Sequence, residues 1–387
     1  MRHIDRTHHP PWTLRLLGPT LLLVTACSTP PPPIALEDVC EIPVAAVTTA
    51  SIGTSNTSRN IAVDAGRTIH VSWVDVTDAS VHYARSLDGG LTFEPSVAIS
   101  DAAVDPTALD GGVSIATGRS GLTVLAFVDV DGALRVARSL DGGAAWTGAT
   151  VIDPGPWETR LGLAVDANAA YVAVRSGIEA EPLASPQIEP PPPTLDEIWL
   201  FRSDDRGATF EPVLTPLPFL AYFDVLVDPR NGDVHLIGDD PRVVHVASTD
   251  GGRTFGPLAE APGPDHDLFY SDFAISSTGQ ILGAGQAGSA SLYDLGQATW
   301  SRVSTEAGGR ERAVSPAIDD ATTLRIVSNP DEASVQLSVS TDGGVTYDTT
   351  PVAAGTSQDI AAARDVGGSP IVYVNAGELF YCFVPLP

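Results

Sequence analysis

Three arginines occupy positions from which their side chains could converge on one anionic group. Arg59, Arg160 and Arg312 each stand shortly before an apolar segment with the character of a β-strand. Guanidinium groups that converge from different strands can hold a carboxylate through paired N–H donors. Each arginine could equally pair with a nearby acid, such as Glu158 or Glu311, and shape a rim. The sequence leaves both interpretations open.

Aromatic side chains accompany these arginines. Trp157 stands next to charged residues, and Tyr222 and Tyr270 precede later apolar segments. An indole in such a place can stack on a sugar ring, or it can simply cover a loop. An Asp-His-Asp triplet at 265–267 could bind a metal, but without further spaced ligands it does not define a site. We expect no metal and no cofactor, and we keep Trp157 and Tyr222 as candidate binding residues.

A turn motif separates the segments that carry these side chains. Ser-Leu-Asp-Gly-Gly-Leu-Thr-Phe at 86–93 recurs with small changes at 139–146, 203–210, 248–255 and 340–347, and in a worn form at 291–300. The Asp side chain can accept hydrogen bonds from the backbone that follows it, and the glycines supply positive φ. The sequence therefore predicts a structural role for six turn aspartates, namely Asp88, Asp141, Asp205, Asp250, Asp294 and Asp342.

A second repeat consists of two short apolar segments joined by a turn, and it occurs seven times. Alternation of apolar and polar residues over four to eight positions indicates half-buried strands, and no stretch has a sustained helical period. Seven hairpins and six Asp turns predict seven four-stranded blades if a strand within 39–47 completes the last sheet beside 378–384. The predicted fold is an all-β propeller over residues 36–387, with six blades as the alternative.

Two cysteines test this closure. Cys40 would lie on the N-terminal strand and Cys382 on its neighbour, although they stand at opposite ends of the propeller sequence. An extracytoplasmic setting permits a disulfide, which would lock the ring at its seam. The alternative is a pair of unbonded, buried thiols.

The N-terminus has the layout of a secretory signal. Arginines precede an apolar run that ends in Thr-Ala-Cys at 25–27. This end resembles the lipobox of bacterial lipoproteins, in which the cysteine is lipidated, and the next residue, Ser28, resembles an outer-membrane sorting context. We expect residues 1–26 to be a signal peptide and 27–35 to be lipidated Cys27 with a stiff proline-rich tether. Cleavage without lipid attachment is the alternative.

The charge balance excludes one class of partner. The chain has 48 acidic residues against 21 basic ones, all of them arginine, and a net charge of −27. Nucleic-acid binding depends on cationic side chains that neutralise phosphates, so this composition argues against it. The expected location is the bacterial cell envelope, as an outer-membrane lipoprotein that touches the membrane only through its lipid anchor.

The Ser-x-Asp-x-Gly-x-Thr-Phe/Trp turns resemble the Asp boxes, or BNR repeats, of the sialidase superfamily. The resemblance implies a β-propeller over nearly all of residues 36–387. It also implies, by position, that Arg59, Arg160 and Arg312 would form the arginine triad of sialidases, with Tyr270 and either Glu158 or Glu311 as the nucleophile and its partner. The chain departs from that family in two respects. It lacks an Arg-Ile-Pro motif, and its predicted blade count is seven rather than six.

Two functions are therefore expected as alternatives. The first is a lipid-anchored propeller that binds a glycan, or an envelope or extracellular protein, without turning it over. The second is an exo-acting glycoside hydrolase of sialidase type. A purely structural envelope protein, with no ligand, is a third possibility, because fold alone does not select among these.

Overall fold

All regular elements that the structure describes are β-strands. The computed structural model describes residues 39–44, 50–51, 60–105, 112–176, 198–215, 217, 220, 222–239, 242–262, 271–285, 289–304, 314–319, 322–329, 334–354, 360–363, 368–375 and 378–385. The chain divides into two units, Met1–Ala35 and Leu36–Pro387, and every described residue belongs to the second. The predicted signal peptide and Cys27 lie outside the described residues. Nowhere in the described ranges is there a helix long and apolar enough to cross a membrane.

The strands form seven small antiparallel sheets, and these sheets are the blades of a propeller. Strand β1 (Val39–Pro43) belongs to the last blade, blade 7. Blade 1 contains β2 (Ala50–Ser51), β3 (Ile61–Val63), β4 (Ile69–Asp75), β5 (Ser80–Ser86) and β6 (Val97–Ala98). Blade 2 contains β7 (Val113–Thr117), β8 (Thr123–Val128), β9 (Leu134–Ser139) and β10 (Thr150–Asp153). Blade 3 contains β11 (Trp157–Val165), β12 (Ala170–Ser176), β13 (Ile198–Ser203) and β14 (Glu211–Leu214).

The remaining blades repeat the pattern. Blade 4 contains β15 (Tyr222–Val227), β16 (Val234–Asp239), β17 (Val243–Ser248) and β18 (Ala259–Glu260). Blade 5 contains β19 (Asp272–Ile275), β20 (Gln280–Gly285), β21 (Ser289–Asp294) and β22 (Thr299–Ser304). Blade 6 contains β23 (Val314–Ile318), β24 (Leu324–Ser328), β25 (Ser334–Ser340) and β26 (Asp348–Ala354). Blade 7 contains β27 (Ile360–Ala362), β28 (Gly368–Asn375), β29 (Glu378–Pro385) and the N-terminal β1.

The seven-blade prediction is confirmed, as is the closure by the N-terminal strand. Strand β1 pairs antiparallel with β29, with Val39 opposite Phe383 and Pro43 opposite Phe380. A disulfide joins Cys40 to Cys382 across this pair. Blade 1 differs from the others because its inner edge is made of two pieces, β2 and β3, which both pair with β4.

The second strand of each blade is buried more completely than its alternating sequence indicates. Every described residue of β8, β16, β20 and β24 is buried, whereas the sequence predicted strands with one exposed face. The reason is the radial arrangement of the blades, in which each blade packs between two neighbours. Seven apolar clusters lie in the described part of the chain, one at each interface between neighbouring blades.

The Asp turns have the local geometry that their sequence predicts. In blade 3, Asp205 Oδ1 accepts the backbone N–H of Ala208 and of Thr209, each at 2.9 Å. Its other oxygen accepts the Thr209 hydroxyl at 2.7 Å, and the Ser203 hydroxyl donates to Oδ1 at 2.8 Å. Burial alone would raise the pKa of Asp205, but these hydrogen bonds outweigh it and lower the pKa to about 2. The turn is thus held by a carboxylate that is ionised.

At four interfaces in the described part of the chain, the same turns also join a blade to the one before it. The arginine that precedes the turn serine contacts the Asp turn of the next blade. Arg85 Nη1 of blade 1, for example, donates to the Gly142 carbonyl of blade 2 at 2.8 Å. The equivalent contacts at the next two interfaces run from Arg138 Nη1 to the Arg206 carbonyl at 2.9 Å and from Arg202 Nε to the Gly251 carbonyl at 3.1 Å. At the seam, the Tyr381 hydroxyl donates to the Gly89 carbonyl at 3.5 Å. The repeated motif is therefore a turn and an inter-blade contact at once.

Loss of the seam disulfide should weaken the ring. Replacing both bonded cysteines (Cys40→Ala with Cys382→Ala) should lower the free energy of unfolding by about 3–5 kcal/mol, because the bond restricts a very long loop in the unfolded chain. Urea unfolding followed by tryptophan fluorescence measures this. Cys27→Ala serves as the control and should leave the unfolding midpoint unchanged. Equal midpoints for the double variant and the unaltered protein would contradict a stabilising bond.

Adjacent turn glycines should respond very differently to alanine. At Gly143 a Cβ would lie 1.8 Å from the Tyr83 hydroxyl of the preceding blade, whereas at Gly142 its nearest neighbour is 3.8 Å away. Both residues have positive φ, so the backbone strain of about 1 kcal/mol is common to both. Gly143→Ala should cost about 2 kcal/mol more than Gly142→Ala in thermal or urea unfolding. Similar costs would mean that the inter-blade contact contributes little.

Candidate functional site

The inner strands begin at the face opposite the Asp turns, which is called the loop face here. In blades 1 to 6 the inner strands carry small or polar residues at one shared register, four residues before the hairpin turn: Asn60, Ser114, Gly162, Asp224, Asp272 and Ser315. All the polar members of this ring are buried. Below it, toward the Asp turns, the inner strands of blades 3 to 6 line an apolar cavity of about 210 Å³. The central axis of the propeller is therefore lined by polar residues near the loop face and by apolar residues nearer the Asp turns.

Two carboxylates of this ring have the same local geometry in adjacent blades. Asp224 accepts the backbone N–H of the next residue, Val225, at 2.8 Å, and Asp272 accepts that of Phe273 at 2.7 Å. Asp272 also accepts the Ser315 hydroxyl of blade 6 at 3.3 Å. These residues were missed by the sequence analysis. Alignment of the hairpin repeats would have found them, because a small or polar residue recurs four positions before the hairpin turn.

Contacts between blades hold this ring in place. The Ser271 hydroxyl of blade 5 donates to the buried carboxylate of Asp239 in blade 4. Gly162 lets blade 3 approach closely, because a Cβ there would lie 2.9 Å from Asp224 Oδ1. The loop-face end of blades 4 and 5 thus contains three buried acids, Asp224, Asp239 and Asp272.

The structure brings two of the predicted site residues together. The guanidinium of Arg160 lies over the Tyr222 ring, with its Cζ 4.4 Å from the ring centroid. Such a cation–π contact holds both side chains, and Tyr222 is 7% exposed. The two residues therefore support each other at the junction of blades 3 and 4.

Glu158 has a partner within blade 3, and Trp157 has partners in blades 2 and 3. Glu158 accepts a hydrogen bond from Arg175, whose other terminal nitrogen donates to the Leu220 carbonyl at 3.2 Å. The Trp157 indole donates to Asp153 Oδ1 at 2.9 Å. Its ring packs nearly perpendicular to Phe201, with centroids 5.4 Å apart, so much of its apolar surface faces the protein.

The other predicted residues lie outside the described part of the chain. These are Arg59, Arg312, Glu311, Tyr270, and the triplet at 265–267. The arginine triad and the tyrosine nucleophile therefore stay predictions.

A second concave surface lies at the seam of the ring, and it is called the seam groove here. Its volume is about 800 Å³. The closing strand contributes Ile42, Pro43 and Val44, the hairpin between β4 and β5 contributes Trp73, Asp75, Thr77, Asp78 and His82, and the segment after the first Asp turn contributes Leu91 to Ser96. The groove thus exists only because the N-terminal strand closes blade 7 beside blade 1.

Apolar and acidic groups share the wall of the seam groove. Phe93 is held edge-on against Tyr381 with ring centroids 5.5 Å apart, and Leu91 is 41% exposed. Glu94 is exposed and pairs with Arg85, with Nε and Oε2 2.7 Å apart. Carboxylates accept hydrogen bonds from hydroxyl groups, and apolar side chains contact the C–H faces of sugars. This lining therefore suits a ligand with many hydroxyl groups.

The chain matches no protein-family model, and it is similar in sequence to no curated protein. Its fold, by contrast, occurs in many solved structures. An ulvan lyase of polysaccharide lyase family PL25 superposes with a TM-score of 0.61 at 12% identity, over 90% of this chain and 96% of that one. YCF48 from Cyanidioschyzon merolae gives 0.52 at 12% identity, over 89% and 98%. What they share is the propeller.

A sialidase is also among the structural neighbours. The Hadza microbial sialidase Hz136 superposes with a TM-score of 0.50 at 14% identity, over 87% of this chain. The chain covers 66% of that protein, slightly less than two thirds of its length. At such low identities the likeness shows the fold alone, and the neighbours themselves have different activities.

Replacement of Arg175 should show that the Glu158 pair is structural. Arg175→Met would remove the cation beside Glu158 and the donor to the Leu220 carbonyl, so stability should fall by about 2–3 kcal/mol. Arg242→Met is the matched control, because Arg242 and Glu260 form an exposed pair whose loss should cost about 0.5 kcal/mol. Urea unfolding of the two variants gives the comparison. Equal, small losses would contradict a structural role for the pair.

Proposed function

We propose that this protein is a lipid-anchored propeller that binds a neutral glycan without turning it over, and that the seam groove is the binding surface. The observation that carries the proposal is the groove itself, with its volume of about 800 Å³ and its mixed wall of Phe93, Leu91 and acidic groups. Binding sites for molecules of oligosaccharide size have such volumes, with apolar walls and a few polar groups that fix orientation.

Charge supports a neutral ligand rather than an acidic one. The groove wall includes Asp75, Asp78 and Glu94, and the protein as a whole is strongly acidic. An anionic sugar would be repelled by this field, whereas hydroxyl groups would donate to the carboxylates. At the loop face, the described arginines Arg160 and Arg175 already contact Tyr222 and Glu158. These contacts favour binding of a neutral sugar over recognition of a sialic acid.

The attachment to the membrane rests on the sequence. Lipidation at Cys27 would hold the propeller at a bacterial outer membrane, with the tether 27–35 between lipid and ring. A module that is held at a surface and binds glycans weakly can gain avidity from many copies. Catalysis is not needed for such a role.

Glycoside hydrolysis remains a second candidate, because of the paired loop-face acids. Asp224 and Asp272 lie at the same register of adjacent inner strands, and both are buried. A pair of carboxyl groups is what glycoside hydrolysis requires. These residues differ from those that the sialidase resemblance implies, so the two enzyme hypotheses can be distinguished.

Two arginine substitutions at equivalent turn positions should test the binding proposal. Leu91 lines the seam groove, and Val345 holds the same place in the blade 6 turn without lining that groove. Arg253 occupies this position in blade 4, so the turn accepts an arginine. On a glycan array, and then by calorimetry with a retained neutral glycan, Leu91→Arg should weaken binding at least about tenfold, because its long side chain would fill the groove. Val345→Arg should bind as the unaltered protein does.

Three outcomes would overturn the proposal. These are the absence of any retained neutral glycan, equal affinities for the two arginine variants, or release of product from aryl glycosides. Turnover that falls more than a hundredfold in Asp224→Asn and Asp272→Asn would establish hydrolysis at the loop face. Turnover of a fluorogenic sialoside that is lost in Arg160→Ala or Arg312→Ala would establish the sialidase hypothesis instead.

A further inference from the structure

Three potential metal ligands meet on the wall of the seam groove. Asp75 and Asp78 lie in the hairpin between β4 and β5, and His82 lies on β5. One ligand atom from each residue lies within 4.8 Å of the others. Zinc binds nitrogen and carboxylate oxygen at about 2.0–2.2 Å, so ligand atoms that share one ion lie no more than about 4.4 Å apart, and a small closing movement of these side chains would bring all three into that range.

The hairpin itself orients the two carboxylates. Asp75 Oδ1 accepts the backbone N–H of Thr77 at 2.8 Å, and Asp78 Oδ1 accepts that of Ser80 at 3.0 Å. The second oxygen of Asp78 points toward the imidazole, with Oδ2 3.0 Å from His82 Nε2. A bound cation need not break these backbone contacts, but it would replace the hydrogen bonds that His82 Nε2 makes with Asp78 Oδ2 and with the Ser80 hydroxyl, the latter at 2.9 Å.

The imidazole is held by the sheet. His82 lies directly opposite Trp73 on the neighbouring strand, and the two rings stack with centroids 5.7 Å apart and an angle of 27°. Trp73 belongs to the core between blades 7 and 1 and is 2% exposed. The buried indole thus fixes the plane of the imidazole ring.

We propose that Asp75, Asp78 and His82 bind one divalent transition-metal cation of the zinc type. Two carboxylate oxygens and one imidazole nitrogen form a donor set that suits such a cation, and three protein ligands leave a fourth position for water or an outside oxygen ligand. Because all three residues line the seam groove, the open position is accessible to a molecule bound there. The inference does not depend on glycan binding, because the metal is measured by itself.

Calorimetric titration of the full-length protein with Zn²⁺ tests the site. Since His3, His8 and His9 could also bind metal, the readout is the difference between variants. His82→Ala should abolish one stoichiometric binding event, and Asp78→Asn should weaken it at least about tenfold, the loss that even an outer partner of a metal ligand can cause. Glu94→Gln is the matched control, because it removes a charge from the same groove but not from the triplet. Its Zn²⁺ affinity should stay within about twofold of the unaltered value.

Imidazole NMR provides a readout that folding defects do not imitate. Addition of one equivalent of Zn²⁺ to the unaltered protein should shift the His82 Nε2 resonance, and the buried pair His235 and His245 should not respond. Identical zinc isotherms for His82→Ala and the unaltered protein would overturn the proposal. So would an unshifted His82 resonance at saturating Zn²⁺, which would leave the Asp78–His82 hydrogen bond as the role of these residues.

Discussion

The pairing of the first described strand with the last is the constraint on which the rest of the structure depends. Blade 7 takes three strands from the C-terminus and one, β1, from the N-terminus. Cys40 and Cys382 then bond across this pair. Closure leaves every blade with a neighbour on both sides, and this is why the second strands are buried on both faces. It also creates the seam groove, since one of its walls is the closing strand itself.

The repeated turns divide the molecule into a structural side and a side available for function. At the turn side, Ser, Asp and Thr satisfy one another and the backbone, and arginines such as Arg85 reach the next turn. The carboxylates there already accept hydrogen bonds from their own turns, and these bonds stabilise the hairpins. At the loop face and in the seam groove the polar residues differ from blade to blade, as Asp224, Gly162 and Ser315 illustrate. Variation on a repeated scaffold is how one fold serves unrelated functions.

The propeller neighbours include a lyase, a sialidase and YCF48, so the fold does not choose a function for this chain. The proposed function therefore rests on the side chains at the candidate sites. Arg160 lies over an aromatic ring, Glu158 is paired with Arg175, and the described acids outnumber the cations around the candidate sites. Such a surface accepts hydroxyl donors and cations more readily than anions. The proposals of glycan binding and of metal binding at the seam groove both rest on this charge.

The sequence by itself determined the blade number, the Asp turns and the closing strand. Each of these is encoded in residues close together in the chain, or in a repeat that can be counted. Only the tertiary structure decided that Arg160 meets Tyr222 and that Asp75, Asp78 and His82 lie together on the wall of a groove. The prediction that the second strand of each blade is half-buried was wrong, because packing between blades buries both of its faces. Contacts between blades depend on how the ring closes, and no local pattern carries that information.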